Sequence, residues 1–239
     1  MVKNPADDGG RAHQRGKVTI DTLLGSISAN RVADHPWFNN TFRKGNASPA
    51  QLKRFARQLV YYFDNVIVLY GPMYLNSQDY KIRRLFTDKM LAPIKLPDGR
   101  TLRQGEGAHA ELAAHLARKL GAPIRAVRSV KPTSTMEQRM RRMISTLERP
   151  PYWVTLGASA AVESQMNSLH RQIATGFKQH YGVSDKDLGV FKAPLMFGES
   201  DIRHTLRRCD DIFDKLKVAY YTERLRDEWY DIWDAAFVA

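Results

Sequence analysis

Cysteine is almost missing from this chain. A single thiol, Cys209, in 239 residues excludes an internal disulfide framework and a thiolate-bound structural zinc. Long apolar runs are missing too: nothing approaches the ~18 uncharged apolar residues of a membrane-spanning helix. There is no P-loop, no G-x-G-x-x-G after a strand and no G-x-S-x-G elbow, which sets aside nucleotide-loop and serine-hydrolase chemistry. Strand-period alternation does not occur over any useful length, and no repeat or low-complexity segment is found. Residues 1–17 are polar and basic without the apolar stretch of a signal peptide. They read as a flexible lead-in to a single domain over residues 18–239, and a cytoplasmic protein is the simplest expectation.

What is present in excess is positive charge. The 37 basic and 25 acidic residues leave a net +12. The basic residues are dispersed in short groups, at Arg83 and Arg84, Arg125 to Lys131, Arg139 to Arg142, and Arg207 and Arg208. No Lys/Arg tract interleaves with aromatics, so nucleic acid is not the expected partner. A solvated basic surface, or a docking face for an acidic carrier protein, fits better.

Helical signals dominate the rest. Val18 to Val32 has the spacing of an amphipathic helix. Ser48, Pro49 and Gln51 form a strong start: a capping serine, a proline at the first helical position and a glutamine three after the cap. The helix that follows is apolar nearly all round to about Tyr70, hence buried, with Pro72 loosening its end. Further helices are expected over Asp79 to Leu91, Gln104 to Leu120 with Gly121 as stop, and Ser134 to Glu148 with Ser134 in a second capping box. Tyr152 to Tyr181 reads as one long helix ending at Gly182, and Ser184 to Lys217 and Ala219 to Ala239 as two more. The expectation is an all-α bundle of seven to eight helices.

Acids and histidines then share helix faces. Glu106 and His109 are three apart, and Asp201 and His204 repeat the spacing. Glu163 lies in an apolar stretch, where an acid must be ionised and paired, or bound to a metal. Carboxylate-x-x-His on two helices with a carboxylate on a third is how bundles hold iron or manganese. The same spacing also arises on ordinary surface helices. Glu111 and His115 read as a solvated pair. His170 is a substrate-facing group or a hydrogen-bonded core histidine, and Cys209 is an ordinary helix cysteine or a thiol activated by its arginines.

These residues resemble the haem-oxygenase-like di-iron oxidases and oxygenases, with pyrroloquinoline-quinone synthase and the TenA-type thiaminases a step away. His35-Pro36-Trp37-Phe38, Gly45, Gln51 to Phe55 and Tyr61-Tyr62-Phe63 look like that superfamily's opening. Glu106 to Leu112, running to Gly121, looks like its first ligand helix. Its E-x-x-H form is most similar to the alkene-forming fatty-acid decarboxylase branch. Glu163 follows at about the family interval, Asp201-x-x-His204 looks like the end of the last ligand motif, and Trp229 to Phe237 looks like the closing helix.

The resemblance implies a single haem-oxygenase-like domain that binds one or two Fe(II) ions through Glu106, His109, Glu163, Asp201 and His204. It implies O2 as co-substrate, with His170 beside the reaction. The substrate class would be a small organic acid, amino acid or amine in a biosynthetic pathway, and the partner, beside an acidic carrier, a second copy in a homodimer. One position departs: Phe197 stands where the family has a histidine ligand. Glu199 or water could substitute, one metal could suffice, or the metal could be lost as in the quinone synthase. Lys192 and Pro194 stand where that enzyme would have arginines. A catalytically silent helical protein with a basic docking face is the reading from another class.

Overall fold

Capping chemistry sets the first helices. Thr19 accepts the Thr22 amide and opens α1, Ile20–Ile27. Ser48 and Gln51 exchange side-chain and backbone bonds at 3.3 and 2.8 Å and open α2, Pro49–Asn76, with Pro49 at its first position. The structure, a computed structural model, describes residues 18–91, 94–95, 101–102, 108–123, 125, 127, 129–192, 197–209 and 211–238. The lead-in expected over residues 1–17 lies outside them.

The remaining helices are α3 (Tyr80–Leu91), α4 (Ala108–Lys119), α5 (Ser134–Glu148), α6 (Tyr152–Glu163), α7 (Met166–Tyr181), α8 (Glu199–Arg208) and α9 (Ile212–Val238). That makes nine among the described residues, more than the seven to eight expected. A two-residue antiparallel ladder, Ile94–Lys95 with Thr101–Leu102, is the strand pairing seen. The long helices α2 and α9 form the spine. α2 packs on α4 and α5, α9 on α5 and α6, and α8 lies against α6.

Each boundary that differs from the sequence pattern has a local cause. The first helix stops at Ile27 rather than Val32, because Ser28 turns its hydroxyl back to the Gly25 carbonyl at 2.6 Å and a 3-10 turn follows. Helix α2 runs through Pro72. The carbonyl deprived of its amide there is that of Val68, an exposed residue where water can replace the lost bond. Thr133, not Ser134, caps α5 by accepting the Met136 amide at 3.1 Å.

The expected helix over Tyr152 to Tyr181 is two. The Ser164 hydroxyl bonds the Ala161 carbonyl at 2.6 Å, and the Ser164 amide is shared between Ala160 and Ala161. No glycine or proline marks this break. The last break falls at Cys209 to Asp211 rather than near Lys217, because Asp211 accepts the Asp214 amide at 2.8 Å and starts α9. Gly121 and Gly182, with φ of 84° and 64°, end α4 and α7 in the left-handed conformation a C-terminal stop requires.

Two apolar clusters fill the interior. The larger contains an aromatic knot of Trp37, Phe42, Phe55, Phe177 and Phe237, with Trp37 stacked 4.8 Å from Phe237. His35 ties that knot to α9. Its Nδ1 accepts the Trp37 amide at 3.1 Å, so Nε2 carries the hydrogen it shares with Asp234 at 2.9 Å. The smaller cluster surrounds the start of α6 and includes Tyr70, Met73, Phe86 and Phe197.

Gly176 marks a close approach between α7 and the segment around Phe42. A Cβ on Gly176 would stand 2.5 Å from the Phe42 ring, which is fully buried and cannot swing away. Gly176→Ala should cost about 1–3 kcal/mol, read as a lower denaturant midpoint, and Phe42→Leu in the same chain should restore part of it.

Candidate functional site

Helix α6 carries no charged residue until its last position. Small residues from Gly157 to Ala161 let its neighbours close in, and a Cβ on Gly157 would already meet Thr205 at 2.6 Å. At its end stands Glu163, only 3% exposed. A carboxyl group at such depth must be satisfied by the protein. The Tyr70 hydroxyl donates to its Oε1 at 2.5 Å, and the Phe197 amide donates to its Oε2 at 3.0 Å. Two donors on two oxygens suit an ionised carboxylate.

Tyr62 and Tyr70 are two turns apart on one side of α2, and both feel the Glu163 charge. Burial first, and Glu163 second, push both hydroxyls well above the ordinary tyrosine range, so they remain proton donors. Phe197 contributes its backbone amide where the resembling family would present an imidazole. Its ring meets Tyr70 and Phe86 edge-on, at 5.0 and 6.1 Å.

Two histidines are also set into the interior. Phe63, next to Tyr62, stacks on His109 of α4 at 5.4 Å. Burial pushes His109 down to about 4. His170 on α7 lies edge-on to Phe191 at 5.6 Å and is pushed down to about 4 by burial and then by His109. Both are therefore neutral imidazoles at physiological pH, able to accept a proton or a metal.

The second carboxylate–histidine pair is placed elsewhere. Asp201 is buried, and its Oδ2 accepts the Gly198 amide at 2.9 Å, closing the first turn of α8. α8 runs antiparallel to α6: Phe197 meets Glu163, whereas Thr205 meets Trp153. The direction carries His204 toward the opposite end of α6. There it feels Arg208, Arg207, Asp201 and Asp79.

Of the expected metal ligands, Glu106 lies outside the described residues. Among the described residues no three His, Cys, Asp or Glu side chains stand together to hold a metal ion. Glu163 lies at one end of α6, and Asp201 and His204 lie further along that helix.

Sequence reasoning missed Tyr62 and Tyr70, whose hydroxyls sat unnoticed in an apolar helix. It also missed Asp187, which takes His115 from its expected pairing with Glu111. His115 Nε2 lies 2.6 Å from Asp187 Oδ1, and Ser184 donates to the same carboxylate at 2.5 Å.

The arrangement is a haem-oxygenase-like fold with a carboxylate, two phenols and two imidazoles in its interior. A crystal structure of a domain of unknown function with a haem oxygenase-like fold, from Shewanella denitrificans OS217, is similar over 92% of this chain and 89% of that one. The TM-score is 0.64 and the sequences are 14% identical, a likeness of fold. No protein-family model and no curated protein matches the sequence. No helix among the described residues is long and apolar enough to cross a membrane.

The depressed histidines fix a pH dependence. With folded values of about 4 against an ordinary 6.5, the unfolded chain takes up protons in that interval that the folded chain does not. Their contribution to stability is complete above 6.5 and is lost as pH falls towards 4. Urea unfolding across that window should show stability falling with acid, with a shallower slope for His170→Gln.

Proposed function

We propose that the chain is an oxidoreductase that oxidises a small organic acid, amino acid or amine beside Glu163 without a two-iron centre. The observation that carries this reading is the engagement of Glu163. Both its oxygens are held by Tyr70 and by the amide of Phe197, the residue standing where the resemblance calls for a ligand. In this reading the substrate gives up two electrons and two protons to O2, which leaves as hydrogen peroxide. Glu163 receives the first proton, Tyr70 keeps the carboxylate oriented through Oε1, and the neutral His109 and His170 pass protons on. The apolar walls of α2 and α6 exclude water from this exchange.

A second reading, iron(II)-dependent oxygen activation, is favoured by one specific feature: His109 is held neutral, the form that binds a metal. Glu106, His109 and Glu163 would hold one ion, with Asp201 and His204 the remaining members of the expected set. Bound iron would supply O2 activation. An acidic carrier protein or a second copy of the chain at the basic surface accords with either reading.

The deciding experiment is anaerobic iron(II) titration of the metal-stripped protein, followed by O2 uptake with acids, amino acids and amines. The lead reading expects iron well below one per chain. It expects peroxide-forming O2 uptake with one substrate class, and about 10²–10⁴-fold slower turnover in Glu163→Gln. Stoichiometric iron would replace it with the second reading.

A further inference from the structure

Helices α4 and α5 both pack on α2, and the connection between them is tied to the first turns of α2 at both ends. Where α4 stops, a Cβ on Gly121 would stand 3.7 Å from the Lys53 amine. Just before α5 starts, the Thr133 amide donates to the Gln58 side-chain oxygen at 3.4 Å. Between the two ties Val127 is buried in the larger apolar cluster and holds the connection down. At about 100° per residue, Arg57 and Arg54 fall between Lys53 and Gln58 around α2, so they point into the same sector as the connection.

The charge here is of one sign. Residues 49–63 and 112–136 hold three and five Lys or Arg and no acid. Lys53 is accounted for by the end of α4, whose last carbonyls a cation offsets, and Lys119 by Asp187 at 3.8 Å. Arg54, Arg118, Arg125 and Lys131 are exposed and Arg57 is half-buried. None of these five forms an ion pair among the described residues, and Nε of Arg57 is buried with no hydrogen-bond partner. Glu137, the first acid past the connection, is held by Arg141 at 2.7 Å. Asp64 and Glu111 stand two turns away from Arg57 and Arg118 along their helices. Five positive charges therefore stand without a counter-charge.

The charges select the occupant. Like charges gathered on one surface repel, and a partner bearing several negative charges relieves that repulsion. The five are spread over two helices and the connection, more than a single small anion can meet. The large exposed apolar side chains among the described residues all lie elsewhere. The surface therefore offers nothing to insert into a lipid layer and no ring to stack on an unpaired base. Four of the five are arginines, whose planar forks match carboxylates in pairs. We propose that this surface docks an acidic protein, whose carboxylates pair with Arg54, Arg57, Arg118, Arg125 and Lys131. None of these residues belongs to the Glu163 centre, so the docking surface stands whether or not the oxidase reading holds.

Poly-L-glutamate is the probe, labelled and titrated with the full chain while fluorescence anisotropy is followed. Binding should weaken steeply with added salt. Arg54→Glu combined with Arg125→Glu should lower the affinity about tenfold or more. Arg149→Glu combined with Arg171→Glu makes the same change of charge at exposed, unpaired positions elsewhere, and should lower it about twofold or less. Because like-charge repulsion is relieved, the thermal midpoint of the Arg54 and Arg125 double variant should equal or exceed that of the wild type. Three results would overturn the surface. The two double variants could lose affinity equally, which would leave only the net charge of the chain. Duplex DNA could bind more tightly than polyglutamate at equal charge concentration and salt, which would make the partner a nucleic acid. The Arg54 and Arg125 double variant could show a lower midpoint, which would make these arginines part of the fold.

Discussion

The carboxylate of Glu163 at the end of α6 is the constraint on which the rest of the interior depends. An ion in an apolar bundle is tolerated only when every oxygen is met by a donor, and here the donors come from distant parts of the chain. Tyr70 brings α2, and the Phe197 amide brings the segment entering α8. Holding the charge therefore fixes the relative positions of three helices. The polar centre also requires its neighbours to be uncharged. Burial keeps Tyr62 and Tyr70 protonated and His109 and His170 neutral, so these groups donate or accept without ionising.

The direction of α8 decides what the acids and histidines do together. Because it runs antiparallel to α6, Asp201 and His204 move down that helix towards Tyr152, and α6 separates two polar regions by its own length. Phe197 belongs to the same logic. It has no side-chain ligand to offer, but its amide reaches Glu163 and its ring packs against Tyr70 and Phe86.

Much of the fold was legible because helix signals are local. Ser48 with Gln51, Gly121 and Gly182 announced their own boundaries. The break at Ser164 was hidden, since a serine hydroxyl bonding back into its helix looks like any serine. The start of α9 at Asp211 carried a capping signal, whereas the sequence pattern placed the break between Lys217 and Ala219, where no glycine or proline marks one. In the site, Glu163 stood out as an acid in an apolar run and His170 as a histidine on the same stretch. Tyr62 and Tyr70 did not, because an aromatic in a buried helix is ordinarily packing and only its partner shows that its hydroxyl is used. Spacing placed Asp201 and His204 on one helix face but could not say towards which end of α6 that helix ran.

The most direct test of this account is the ionisation state of Glu163, read by infrared difference spectroscopy between the wild type and Glu163→Gln at neutral pH. The account predicts loss of an ionised carboxylate band, and perturbation of that band in Tyr70→Phe. Loss of a protonated carboxylic acid band instead would contradict it, because a protonated Glu163 would not be the charge around which Tyr70 and the Phe197 amide are arranged.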